Sequence, residues 1–110
     1  MTEKERKAVF PIGEYVIVRS RNEGVNAGVL EDAGIGYCVL TGARRLWQHK
    51  PAIKSLSWYE GVASFGLSED SKVSCAVTKK IIVEDYSLTL CNEIGASSIK
   101  GHPNHEQGNG

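Results

Sequence analysis

The chain has no surplus of either charge: 13 Lys and Arg meet 13 Asp and Glu in 110 residues, so the formal net charge is zero. That removes both the strong basicity of a general nucleic-acid binder and the excess charge of a disordered chain. Apolar runs are short as well. None approaches the ~20 residues that span a bilayer, and the opening MTEKERKAVF lacks the apolar stretch of a signal peptide. The expectation is a soluble, intracellular protein with no membrane partner. Its three cysteines, Cys38, Cys75 and Cys91, are widely spaced and embedded in apolar runs. This argues against a disulfide framework or a CxxC metal site and reads as buried, reduced thiols. Histidine is scarce: His49 stands alone ahead of the C-terminal tail, and HxxxH, GxSxG and Walker patterns are missing. Glu84 and Asp85 do not substitute, because neighbours on a strand point to opposite faces. An enzyme is therefore not expected, nor a cofactor or a bound metal.

What the sequence does contain fits one small domain over residues 11–100, between a charged leader (1–10) and a polar, Gly-rich tail (101–110) expected to be disordered. In EYVIVRS every side chain from Tyr15 to Val18 is apolar and β-branched residues dominate, which predicts a central strand covered on both faces. RNEG is turn chemistry, and VNAGVLED then alternates Val25, Ala27 and Val29 against Asn26, Gly28 and Leu30. A second strand antiparallel to the first follows. Gly28 within it marks either a bulge or a place where another backbone or a ligand comes close. YCVLTGARRLWQH continues as a third strand bent or bulged at Gly42, and Pro51 ends its pairing.

The period then changes. In SLSWYEGVASFGLSED, Leu56, Tyr59, Ala63 and Leu67 recur at helical spacing, with Ser57 and Glu60 as a capping box (Ser55 competing as N-cap) and Gly66 at the helix end. KVSCAVT and KKIIVEDYSLTLC read as further strands. The expected fold is α+β: a small antiparallel sheet of five to six strands with one main helix packed on it.

TGARRLWQHK, residues 41–50, concentrates donor groups. Period-two alternation puts Arg45 and Trp47 on one face and Arg44, Leu46 and Gln48 on the other. An arginine fork binds phosphate and an indole stacks on a base, so Arg45 and Trp47 would suit a nucleotide. The alternative is that Trp47 packs under the helix and the arginines pair with Glu60 or Glu84. No acid occurs from Ala33 through Tyr59, whereas from Glu60 through Glu93 six acids outnumber three lysines. A self-complementary homo-oligomer is one use for that asymmetry.

In order, RNEGVNAGVL, GARRLWQHKPA, SLSWYEGVA and KKIIVEDYSLTLC resemble a family of small phage and prophage proteins. Its pattern is an arginine-led strand, an A-G-V-x-x-G-like strand, an A-R-R-[IL]-W strand, a helix and a closing strand. The resemblance covers roughly residues 12–100 and implies phage counter-defence in the host cytoplasm. In size and β-rich build the chain is also similar to the Thoeris anti-defence sponge proteins, which oligomerise and sequester nucleotide second messengers without cleaving them. Those ligands are cyclic ADP-ribose isomers and cyclic oligonucleotides. This likeness places a ligand pocket at Asn26, Ala27 and Gly28. A sponge needs donors for two phosphates and flat surfaces for bases. Arg19, Arg44 and Arg45 are the phosphate candidates, Trp47 and Trp58 the stacking candidates, and Asn26 an edge reader. The alternatives are a protein-binding inhibitor of a host defence enzyme and an accessory protein for single-stranded nucleic acid. Neutral net charge counts against the latter, so no stable nucleic-acid partner is expected.

Overall fold

Tyr15–Ser20 forms β1, the strand around which the sheet is organised. In the computed structural model, which describes residues 9–48, 58–69 and 71–104, β1 pairs antiparallel with β2 (Gly24–Gly34) on one side and with β6 (Tyr86–Leu90) on the other. Strand β2 pairs antiparallel with β3 (Tyr37–Gln48). The far edge of β3 is shared: its first half takes β5 (Val77–Ile82) and its second half β4 (Lys72–Val73), giving a six-stranded sheet. Two helices complete the fold, α1 (Trp58–Phe65) and α2 (Glu93–Gly101).

The connection from β5 to β6 sets the overall shape. These strands occupy opposite edges of the sheet yet are separated by only Val83, Glu84 and Asp85, so the sheet must curl until its edges approach, as a small, partly open barrel does. Its interior holds Val16, Val18, Leu30, Ala33, Cys38, Leu40, Ala43 and Ile82, with Phe10, Ile12, Tyr86 and Leu88 packed against them. The opposite faces of the same strands supply a second layer. Tyr15, Ile17, Val25, Ala27 and Leu46 meet Val62, Ala63 and Leu67 around α1 and Ile99 of α2. Strand β1 is therefore buried on both faces, as its unbroken apolar run predicts.

Bends in the long strands match their glycines. At Gly42 φ is +60°, and the register between β2 and β3 slips beside it, between Ala27 and Val29. This is a bulge of the kind a left-handed glycine permits. Gly28 lies opposite: a Cβ there would sit 2.9 Å from the Thr41 carbonyl oxygen and 3.2 Å from the Ala43 Cα. The close approach that Gly28 signals is thus made by the protein's own bulged strand.

Helix α1 ends where the sequence predicts, with Gly66 at φ +90°. The capping-box pair lies outside the described side chains. Other expectations are corrected. KKIIVEDYSLTLC is two strands, because Val83–Asp85 interrupts the pairing. A second helix, α2, was not expected. Asn92 organises it: its Oδ1 accepts from Gly95 N at 2.8 Å, while its backbone N–H and Nδ2 donate to the Ala63 and Ser64 carbonyls at the end of α1. One asparagine thereby caps two helices. The first tail residues are placed as well: the His102 Nε2 lies 2.6 Å from the Ser71 carbonyl oxygen, and Asn104 bridges to Val73. Cys38 and Cys91 are buried as expected, but Cys75, between β4 and β5, is exposed. Among the described residues no helix is long and apolar enough to cross a membrane.

Candidate nucleotide-binding face

Strand β3 turns its two arginines to opposite fates. Arg44 pairs with Ala27 in the register and so faces the helical layer, only 4% exposed. Its Nε donates to the Ser74 carbonyl at 2.8 Å, Nη1 to those of Ile99 at 2.6 Å and Lys100 at 3.3 Å, and Nη2 to Asn104 Oδ1 at 2.7 Å. A buried guanidinium requires acceptors, and here they include carbonyls at the negative end of α2, so a cation is favoured there without a carboxylate. Arg44 is consequently a fastener between β3, α2 and the C-terminal segment, and its donors are not free for a phosphate.

Arg45 lies opposite Asn26, on the other face, and is exposed. Its backbone is fixed by Ser74: the Arg45 N–H donates to Ser74 Oγ at 2.8 Å and its carbonyl accepts from Ser74 N at 2.9 Å. The guanidinium lies along Gly24, where a Cβ would come within 3.2 Å of Nη2. Gly24 has φ +71°, so glycine is required there by backbone conformation as well as by space. Two residues on, where the pairing of β3 with β4 slips between Leu46 and Gln48, Trp47 is 38% exposed.

The other expected site residues are dispersed. Arg19 pairs with Val25, a residue of the helical layer, so it projects from the face opposite Arg45. There it borders an open groove of about 520 Å³ with Arg21, Asp85 and Ser87. Asn26 is only 1% exposed and its Nδ2 donates to the Glu23 carbonyl at 3.0 Å. The methyl of Ala27 is in the core, and Gly28 is closed off by β3. Trp58 begins α1, and its side chain lies outside the described residues. The structure thus sets Asn26 opposite Arg45, with Trp47 two residues farther along β3, and separates Arg19 and Arg44 from that face. The pocket expected at Asn26, Ala27 and Gly28 is therefore not formed: β2 is covered on both faces, where the alternation in VNAGVLED had suggested one open face.

Glu84, weighed from sequence as an arginine partner, serves the β1–β2 turn instead. Its Oε2 accepts from Asn22 N at 2.8 Å and Glu23 N at 3.2 Å, and its Oε1 from Asn22 Nδ2 at 2.8 Å. The nearby Ser20 hydroxyl, and then the hydrogen bonds from the Asn22 backbone and side chain, hold its carboxyl down at about 2. Alongside it, Lys80 of β5 pairs with Glu23 at 3.3 Å, so the same turn is tied to both partners across the barrel. Sequence reading missed Gly24, Ser74 and Glu84 as the supports of the Arg45 face. Gly24 was legible as a turn glycine, but the two contacts across the barrel had no local signal.

Among the described residues no cluster of three or more His, Cys, Asp or Glu side chains could hold a metal ion. No curated protein and no solved structure matches the chain. Residues 13–99 match the profile of a family described as a domain of unknown function, DUF6948, and with most of its length so matched the chain belongs to that family.

Proposed function

We propose that this chain is a non-enzymatic binding protein that holds a nucleotide-type anion, intact, on the Arg45–Trp47 face of β3. The observation that carries this reading is Arg45: its guanidinium is stationed along the Gly24 backbone, and no described carboxylate bonds to it. An exposed guanidinium without a carboxylate partner keeps its donors available, and its fork matches two phosphate oxygens. The neighbouring indole supplies a stacking surface for a base or an adenine-like ring. Amide, guanidinium and indole groups neither attack nor shuttle protons at neutral pH, which favours capture over cleavage. In its specific form the proposal is a phage-encoded counter-defence protein of the host cytoplasm that sequesters a cyclic ADP-ribose isomer or a cyclic oligonucleotide.

The test is thermal denaturation with a panel of cyclic ADP-ribose isomers and cyclic oligonucleotides, followed by mass spectrometry of the ligand released on denaturation. A ligand at about a hundred times its Kd adds about 2.7 kcal/mol, a clear rise in Tm. Arg45→Ala should abolish the rise while leaving the ligand-free Tm within a degree or two of the wild type, because Arg45 is exposed. No shift with any member of the panel, a shift that survives Arg45→Ala, or a ligand of altered mass would each overturn the reading.

A further inference from the structure

The outer edge of β6 carries an open, self-complementary set of backbone hydrogen-bonding groups. Cys91 N donates to Tyr15 O at 3.0 Å, which fixes the phase of the β1–β6 ladder. In an antiparallel pair the residues that exchange bonds alternate with those that do not. With Tyr15 opposite Cys91, the bonded pairs are Ile17 with Thr89 and Arg19 with Ser87. The N–H and C=O groups of Tyr86, Leu88 and Leu90 therefore point away from β1, and no described strand pairs with β6 on that side.

Proteins guard such edges with charge, proline or a bulge. YSLTL has none of these: it is uncharged, free of proline and in regular register with β1. The opposite edge, β5, is guarded. Any two-fold pairing centred on VTKKII sets Lys79 or Lys80 against its own copy. On β6 a two-fold axis through Leu88 sets Tyr86 opposite Leu90, Leu88 opposite itself and Ser87 opposite Thr89. The three outward-pointing residues then fall in bonded pairs, which is the phase an antiparallel ladder requires. No like charges face one another, since Asp85 would meet Cys91 and Glu84 would meet Asn92. Leu90, 53% exposed in the single chain, would be covered by the partner's Tyr86.

We propose that two copies of this chain dimerise by antiparallel pairing of their β6 strands about a two-fold axis at Leu88, joining the two sheets into one. A closed two-fold arrangement is the commonest oligomer, and an extended sheet is a recurrent way to build it. The interface is remote in sequence from Arg45 and Trp47, so it stands whether or not a nucleotide binds there.

Light scattering on the eluted protein should give twice the chain mass at high concentration. The amides of Leu88 and Leu90 should be protected from exchange in concentrated protein and exposed on dilution, whereas Thr89, bonded to β1, stays protected throughout. Leu90→Lys and Leu90→Pro, which touch the outward side of the strand, should give monomers with unchanged circular dichroism. Ile81→Lys on the β5 edge should remain dimeric. A wild-type protein that is monomeric at every concentration overturns the proposal. So does a dimer that survives both Leu90 variants, or Leu88 and Leu90 amides whose exchange ignores dilution. If the Leu90 variants fail to fold, the wild-type exchange pattern alone decides.

Discussion

The guanidinium of Arg44 and the side-chain oxygen of Asn104 meet at 2.7 Å, bringing the middle of β3 together with the segment that follows the last helix. The other donors of Arg44 are occupied by carbonyls of Ser74, Ile99 and Lys100. Removing the side chain leaves several acceptors in a largely dry site. Arg44→Ala is expected to lower the unfolding free energy by about 3 kcal/mol, read by urea denaturation. Arg44→Lys should recover only part of it, because a point charge cannot reach acceptors spread in the plane of a fork. Exchange of the last amides of α2 should accelerate in both variants. An unchanged denaturation midpoint would show that the contact is not structural.

Glu84 gives the acid limb of stability a definite sign. Its folded-state value of about 2 lies below the ordinary 4.5, so its contribution is fully present above pH 4.5 and is lost as the pH falls from there toward 2. Glu84→Gln should therefore destabilise the protein at pH 7 and make Tm less dependent on pH across that window. Parallel Tm curves for the two proteins between pH 4.5 and pH 2 would refute this role.

The thiols separate by burial. Burial pushes Cys38 up to about 11 and Cys91 up to about 12, while Cys75 is exposed. With a thiolate-specific disulfide reagent at pH 8, one equivalent should react promptly and the other two only as fast as the protein opens. Cys75→Ser should abolish the prompt phase. Three prompt equivalents would mean that the core admits reagent.

Much of the sheet is legible in local pattern. The run YVIV announces a strand covered twice over, and ARRLW assigns Arg44 and Leu46 to one face and Arg45 to the other, as observed. Gly42 and Gly66 mark a bulge and a helix end because their left-handed backbone leaves a compositional trace. Helix α2 was harder to see. EIGASSIKG has two glycines and two serines, so its propensity is weak, and the cue that remained was Asn92 followed by Glu93 as an N-terminal signature. Gly95 is demanded by tertiary structure, since a Cβ there would run into the Ala63 carbonyl of α1. The candidate site was legible only for Arg45 and Trp47. Nothing local distinguishes an arginine that grips α2 from its neighbour that faces solvent; the difference arises from Ser74, Ile99 and Asn104, distant in sequence from β3.

The position of β1 between β2 and β6 also bears on synthesis. Pairing of β1 with β2 and of β2 with β3 can form as soon as those residues emerge, but Val16 and Val18 lack their second neighbour until residues 86–90 have been made. A nascent chain therefore carries an unfinished apolar sheet for most of its translation, and closure depends on its most distant strand pairing. Ribosome-bound chains that stop short of Tyr86 should consequently be the ones that recruit chaperones, with release coinciding with the arrival of β6.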